Sequence, residues 1–215
     1  MRILNRLMRI LNLYAGLGGN RKLWKNVAVT AIEKNADVAA LYKKYYPSDI
    51  VIVSDALEYL ETNYREFDFV WSSPPCQTHS FMRRHNPAAI PKIPDLSLYS
   101  QIFFLQSYFN GKYAVENVRP YYQPLLNPQI IDRHLFWANF IIHPLRIKKP
   151  ANIVEDSTSI EGRELLAAWL GIDYDFSVSV SGNGHVEQAL KNCIHPLLGD
   201  HVLKCAQASQ PVLFE

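Results

Sequence analysis

The residue best suited to chemistry in this sequence is a cysteine next to two prolines. Ser73-Pro74-Pro75-Cys76-Gln77 follows the apolar run Phe67–Trp71, which we predict to be a strand. The prolines restrict the backbone, so the thiol is held at a strand end. Thiolate is the reactive form of cysteine, so we expect the site to lower the pKa of Cys76. The alternative role for a cysteine is to fill space in the core. We assign that role to Cys193 and Cys205.

A carboxyl group stands at the end of another predicted strand, in Glu116-Asn117-Val118. It would face the same crevice as Cys76, and a nucleophile beside a proton-handling carboxyl is a credible catalytic pair. Arg133 could add a fixed positive charge with planar donors. Taken singly, each of these residues is more often an ion-pair partner than a catalyst.

A glycine-rich turn, Tyr14-Ala15-Gly16-Leu17-Gly18-Gly19, follows the first predicted strand. Glycines there let the backbone approach a ligand closely, but Arg21 stands where the dinucleotide fingerprint has its third glycine. Glu33 ends the next strand, where a carboxylate can accept hydrogen bonds from the ribose hydroxyls of an adenosine. Asp55 stands similarly after the third strand. For both carboxylates, a simple solvated surface position is the alternative.

These residues need elements that bring strand ends together. The predicted strands are Met8–Tyr14, Val27–Glu33, Ile50–Ser54, Phe67–Trp71, Tyr113–Asn117 and Leu135–Ile142, and the predicted helices are Asp37–Tyr46, Ala56–Tyr64, Leu96–Phe109, Glu161–Leu170 and Pro196–Gln207. Gly18–Asn26 is predicted to form a turn and a short helix. Strands that alternate with helices indicate a mostly parallel α/β sheet, which binds ligands beyond the carboxyl ends of its strands. Residues 78–94 form a long loop, of a kind that often carries function.

Composition sets broad limits. The 215 residues are 48% hydrophobic, which fits one domain over residues 1–215. The formal net charge of +2 neither supports nor excludes a nucleic-acid partner. Three cysteines argue against a disulfide framework and for a reducing, cytoplasmic setting. No apolar run approaches the roughly 20 residues of a membrane helix, so we expect no membrane association.

Taken in order, these segments resemble the cytosine-5 methyltransferases over nearly the whole chain. The matching segments are Leu13–Gly19, Glu33, Asp55, Pro74–Gln77, Glu116–Val118 and Lys191–Pro196. The chain departs from the family pattern in three places. Tyr14 replaces the usual phenylalanine, and Arg133 is the one arginine of an arginine-x-arginine motif. The large target-recognition region is reduced to residues 144–160.

The resemblance implies a Rossmann-like S-adenosylmethionine-dependent methyltransferase fold, with a mostly parallel sheet flanked by helices. S-adenosylmethionine is the implied cofactor, and no metal is expected. The implied cofactor-binding residues are Tyr14, Ala15, Gly16, Leu17, Gly18, Gly19, Glu33, Asp55, Ala56, Pro75 and Asn192.

The resemblance also implies a mechanism on cytosine in DNA. Cys76 would attack carbon 6, protonated Glu116 would hydrogen-bond ring nitrogen 3, and Arg133 would contact the exocyclic oxygen. The base must first be flipped out of the duplex, and the loop Thr78–Pro94, which carries His79, is the expected clamp. The implied substrate-binding residues are Gln77, Ser80, Arg83, Arg84 and Asn117.

The reduced recognition region has consequences for specificity. Such compact enzymes resemble those of bacteriophages and prophages, so we expect the cytoplasm of a bacterial or phage-infected cell. A role in restriction-modification, anti-restriction or regulation is left open. Binding would depend on phosphate contacts, with a partner protein or a second copy of the chain as the alternative source of specificity. The residues expected at phosphates are Arg83, Arg84, Arg146, Lys148 and Lys149.

Three other functions remain open at this point. RNA, such as tRNA, or a free cytosine nucleotide would keep the chemistry and change the substrate. A non-catalytic binding module would keep only the fold, although such a module would have no need of Cys76, Gln77 and Glu116. A dinucleotide-dependent oxidoreductase is disfavoured by the missing third glycine and by the Pro-Pro-Cys-Gln loop.

Overall fold

The structure, a computed structural model, describes residues 6–81, 90, 92–150, 160–172 and 186–208. Within these residues seven strands form one sheet in the order β3-β2-β1-β4-β5-β7-β6. The strands are β1 (Met8–Leu13), β2 (Val27–Glu33), β3 (Ile50–Val53), β4 (Phe69–Ser72), β5 (Lys112–Val118), β6 (Gln129–Ile131) and β7 (His134–Ala138). The first five are parallel. β7 runs antiparallel to β5, and β6 pairs antiparallel with β7 at the sheet edge.

Helices cover both faces of this sheet. They are α1 (Ala36–Tyr45), α2 (Ala56–Asn63), α3 (Ser97–Tyr108), α4 (Ile160–Leu170), α5 (Val186–Lys191) and α6 (Pro196–Ala208). Alternate residues of β1 point to opposite faces, as a strand requires. Leu11 and Leu13 pack in a core with α2 and α3, and Ile10 packs in a second core with α6. The sheet is therefore buried on both sides, which explains its continuous apolar strands.

The sequence predicts most of these elements, with four differences. The prediction of a short helix within Gly18–Asn26 is wrong, because these residues form consecutive turns. Both Gly18 and Asn26 have positive φ angles, 74° and 56°, which a right-handed helix cannot contain. Strand β6 and helix α5 were not predicted, and the last strand ends at Ala138 rather than at residue 142.

A buried ion pair fixes the turn after β1 against the start of β3. The Arg21 guanidinium donates to both carboxylate oxygens of Asp49, from Nε at 2.8 Å and from Nη2 at 2.9 Å. The Tyr42 hydroxyl donates to the same carboxylate at 2.9 Å. This two-point geometry satisfies the buried charges, so Arg21 has a structural role. Among the described helices, none is long and apolar enough to cross a membrane.

Candidate active site

A cleft of about 1350 Å³ opens at the carboxyl ends of the parallel strands. Its position agrees with the rule that open α/β sheets bind ligands at this edge. The predicted site residues that line it are Tyr14, Ala15, Gly16, Leu17, Gly19, Glu33, Asp55, Ala56, Pro75, Cys76, Gln77, Ser80, Glu116, Asn117, Arg133 and Asn192. Residues that are far apart in the sequence therefore meet on one surface.

Hydrogen bonds hold the Cys76 loop at the end of β4. The Asn117 side chain donates from Nδ2 to the Pro74 carbonyl at 3.0 Å. The backbone N–H groups of His79 and Ser80 both donate to the Cys76 carbonyl at 3.0 Å. His79 is buried, and its Nδ1 lies 2.6 Å from the Tyr122 hydroxyl. Asn117 and the turn after Cys76 together fix the backbone that carries the thiol.

The environment of Cys76 corrects one expectation from the sequence. Burial raises the pKa of the Cys76 thiol, and the negative charge of Glu116 raises it further. Both effects disfavour the thiolate. The expected lowering of the pKa is therefore wrong for this structure.

Glu116 is held by a residue that the sequence did not single out. The carboxylate Oε1 of Glu116 lies 2.7 Å from Nδ1 of His134, and both side chains are buried. Arg133 donates from Nε to Nε2 of the same imidazole at 3.3 Å. A sequence signal existed, since His134 directly follows Arg133, but its use required the pairing of β7 with β5.

The glycine-rich turn is tied to the end of β2 by Glu33. The Glu33 carboxylate accepts from the backbone N–H of Gly16 at Oε2 and from that of Asn35 at Oε1, each at 2.9 Å. Gly18 is the one predicted cofactor residue in the turn that does not line the cleft. Its α-carbon faces the rings of Tyr42 and Tyr46, where a Cβ would lie 2.8 and 2.4 Å from ring atoms.

A family comparison adds to this geometry. The model of the C-5 cytosine-specific DNA methylase family matches residues 8–119, just over half of the chain. The chain belongs to this family. No curated protein sequence matches the chain.

The solved structures give weaker matches. A hypothetical protein of Thermus thermophilus is 16% identical, with a TM-score of 0.45, over 62% of this chain and 75% of that one. A DNMT2 mutant of Spodoptera frugiperda is 22% identical, with a TM-score of 0.37, over 52% of this chain and 35% of that one. An S-adenosylmethionine-dependent methyltransferase of Agrobacterium tumefaciens is 12% identical, with a TM-score of 0.38, over 53% and 39%.

The fold class expected for this C-5 cytosine methylase chain is confirmed. Five parallel strands, an antiparallel β7 next to β5 and helices on both faces form the Rossmann-like methyltransferase architecture. Membership of the family implies methyl transfer with S-adenosylmethionine as the donor.

Two further predicted cofactor residues of the chain have local partners. Asp55 caps α2 by accepting from the N–H groups of Leu57 and Glu58, and it pairs with Lys34 at 3.2 Å. Burial would raise the pKa of Asp55, but these hydrogen bonds outweigh it and the pKa is lowered. For Tyr14, burial and then the charges of Asp55 and Asp95 raise the pKa to about 12, so its hydroxyl stays protonated at neutral pH.

Some of the expected substrate residues lie outside the residues that the structure describes. Arg83 and Arg84 lie outside the described residues, and so do positions 151–159 of the expected linker. Arg146 and Lys148 are exposed. Lys149 lies over the Trp169 ring, 5.8 Å from its centroid. Burial and then the charge of Arg133 lower the pKa of Lys149, so this part of the linker lies near the Arg133 side of the cleft.

Proposed function

We propose that this chain transfers a methyl group from S-adenosylmethionine to carbon 5 of cytosine in DNA, through a covalent adduct with Cys76. The observation that carries the proposal is the meeting of Cys76, Glu116 and Arg133 in one cleft with Glu33 and the glycine-rich turn. The first three supply nucleophile, carboxyl and cation, and the others supply the cofactor wall. A binding module would have no use for that combination.

The residues of the cleft fit the cofactor. Gly16 presents open backbone, since a Cβ built there would meet only the Tyr14 carbonyl oxygen, at 4.0 Å. Glu33 offers carboxylate oxygens at the end of β2, where a ribose can be bound through its hydroxyls. Asp55, Ala56, Pro75 and Asn192 are further residues of this wall. When bound, S-adenosylmethionine supplies the electrophilic methyl group.

The protein's own side chains activate the base. The Cys76 thiol loses its proton to water, and the thiolate forms a bond to carbon 6 of cytosine. The electron pair of the 5,6 double bond is then available at carbon 5, while protonated Glu116 donates its proton toward nitrogen 3 and becomes a carboxylate. After methylation, carbon 5 loses its proton to water, the bond from Cys76 to carbon 6 breaks with its electron pair leaving on sulfur, and the 5,6 double bond re-forms. The proton on nitrogen 3 returns to Glu116, and the Cys76 thiolate takes up a proton from water.

The charge of Glu116 links these steps. The Glu116 carboxylate raises the pKa of the Cys76 thiol. A protonated Glu116 removes that repulsion, so the state that is ready to donate to nitrogen 3 is also the state that favours the thiolate. Arg133, at the same cleft, would contact the exocyclic oxygen of the base.

The test is methyl transfer from tritium-labelled S-adenosylmethionine to duplex DNA, single-stranded DNA and tRNA. We expect transfer to DNA by the wild type, none by Cys76→Ser, and retained transfer by the matched control Cys205→Ser. DNA that contains 5-fluorocytosine should trap a covalent complex at Cys76, because fluorine cannot leave as a proton does. Transfer to tRNA alone would mean that the substrate is RNA rather than DNA. Turnover by Cys76→Ser would refute the assignment of Cys76 as the nucleophile.

A further inference from the structure

The hydrogen bonds around His134 define the position of its proton. Nε2 of the imidazole accepts from Arg133 Nε at 3.3 Å, and Arg133 has no acceptor on its guanidinium. The ring proton must therefore lie on Nδ1, which donates to Glu116 Oε1 at 2.7 Å. His134 thus donates to the carboxyl group through Nδ1.

This contact distinguishes the two oxygens of Glu116. Oε1 is occupied by His134, whereas Oε2 makes no hydrogen bond within the described part of the chain. Glu116 lines the cleft. Its Oε2 atom is not fully buried, so a ligand in the cleft can reach it. Oε2 is therefore the oxygen that is free to meet a ligand.

We propose that His134 is a positioning residue, which holds Glu116 by Oε1 so that Oε2 faces ring nitrogen 3 of the flipped cytosine. A neutral carboxyl that accepts at Oε1 carries its proton on Oε2, and that proton can be donated to nitrogen 3. The inference rests on the proposed function. It adds a residue that neither the family match, which ends at residue 119, nor the sequence motifs assign.

The sheet makes this contact possible. β5 and β7 are antiparallel, with Val118 opposite His134 and Glu116 opposite Phe136. Glu116 and His134 are therefore diagonal neighbours on one face, within reach of long side chains. Because the sheet fixes the register, the pair does not depend on a loop.

Two variants separate the hydrogen bond from the bulk of the ring. Asparagine at 134 can place an amide N–H near the position of Nδ1, whereas leucine keeps apolar volume and removes the donor. We expect His134→Leu to lower kcat by roughly tenfold to a hundredfold, the effect of losing a hydrogen bond to the carboxylate that Glu116 becomes as its proton moves to nitrogen 3. KM for DNA and Kd for S-adenosylmethionine should stay within about twofold of their wild-type values, a much smaller change than the expected loss in kcat. His134→Asn should recover most of kcat.

The matched control is His201→Leu. His201 lies on α6, and its Nε2 is 2.8 Å from the His143 carbonyl oxygen, outside the residues that line the cleft. It should keep wild-type kcat. If His134→Asn is as slow as His134→Leu while both are folded by circular dichroism, the donor has no role and the proposal is overturned. A loss that appears in KM alone would overturn it as well.

A second measurement needs no enzymatic activity. Nitrogen-15 NMR of histidine-labelled protein reports the tautomer, and the His134 signals are those that His134→Asn removes. We expect Nδ1–H in the wild type and in Glu116→Gln, whose amide oxygen still accepts. An Nε2–H tautomer in the wild type would overturn the proposal even if DNA is methylated. An Nδ1–H tautomer in a chain that methylates no nucleic acid would support the contact and refute only the proposed function.

Discussion

At the scale of single residues, Cys76 and Glu116 form one electrostatic unit. Burial and the negative charge of Glu116 both raise the pKa of the thiol, so the free protein keeps Cys76 in its less reactive form. A protonated thiol is less open to side reactions, which suits the proposed nucleophile. It also makes the reactivity of Cys76 a measure of the charge at position 116.

Glu116→Gln should therefore increase the alkylation rate of Cys76, although it lowers turnover. The substitution removes the charge that disfavours the thiolate and keeps the shape of the side chain. Iodoacetamide labelling at constant pH, followed by peptide mass spectrometry, measures the rate. Cys193 is an internal control, because burial raises its pKa to about 12 and it is 9% exposed. An unchanged or slower rate at Cys76 would show that Glu116 does not act on the thiol.

Glu33 ties Gly16 to β2 and lines the cleft, and we propose that it also binds the ribose of the cofactor. Glu33→Ala removes a charged acceptor worth about 1.5–3 kcal/mol. Binding of S-adenosylmethionine should weaken by roughly tenfold or more, as measured by isothermal titration calorimetry. Glu58→Ala, at an exposed position of α2, is the matched control. Equal affinity in both variants would remove Glu33 from the site.

At the scale of elements, α6 packs directly on the turn after β1. Gly199 of α6 leaves room for the backbone of Asn20, since a Cβ at position 199 would lie 2.2 Å from the Asn20 carbonyl oxygen. Trp24 adds a hydrogen bond from Nε1 to the Gly199 carbonyl at 3.0 Å. Asn20 itself lines the cleft, so this contact joins the helix packing to the shape of the site.

Gly199→Ala should lower the free energy of unfolding by about 1–3 kcal/mol, because a backbone atom cannot rotate out of the overlap. Urea denaturation followed by circular dichroism measures the change. Leu197→Ala, on the same helix but 54% exposed, should cost much less. Equal stability of the two variants would mean that α6 does not approach the turn this closely.

At the scale of the whole molecule, we expect the short segment of residues 144–160 to limit sequence specificity. We propose that residues 1–215 form one catalytic domain and that residues 144–160 are a reduced recognition segment. Direct readout needs several side chains in a groove, each good bidentate pair giving about 1–3 kcal/mol of discrimination. Arg146, Lys148 and Lys149 suit phosphates instead, and phosphate contacts carry no sequence information.

The chain should therefore methylate a short or degenerate target, with an affinity for DNA that falls steeply as salt rises. Bisulfite sequencing of DNA treated with the purified protein gives the target, and fluorescence anisotropy across a salt series gives the slope. The triple variant Arg146→Gln, Lys148→Gln, Lys149→Gln should show a shallower slope. A strict site of roughly six base pairs is longer than this segment can read directly. Recognition of such a site by the monomer alone would contradict the prediction. A strict site that appears only with a second copy or a partner protein would assign specificity to that assembly.

The sequence alone determined the order of the main elements and the set of strand-end residues. Each apolar run predicts a strand, and Gly16, Glu33, Asp55 and Cys76 follow such runs within a few residues. The rule that parallel strands end at one edge then predicts that these residues meet. That inference needs neither register nor side-chain geometry, so it follows from the order of residues along the chain.

Only the tertiary structure decided which atoms act on one another. The contact of His134 with Glu116 depends on the register of β7 against β5, and the place of Gly18 depends on the rings of α1 and the turn that follows it. The raised pKa of Cys76 is a sum of burial and a charge 40 positions away in the chain. Sequence pattern reports the preferences of short segments, whereas burial, charge proximity and strand register arise between distant segments and exist only once the chain is folded.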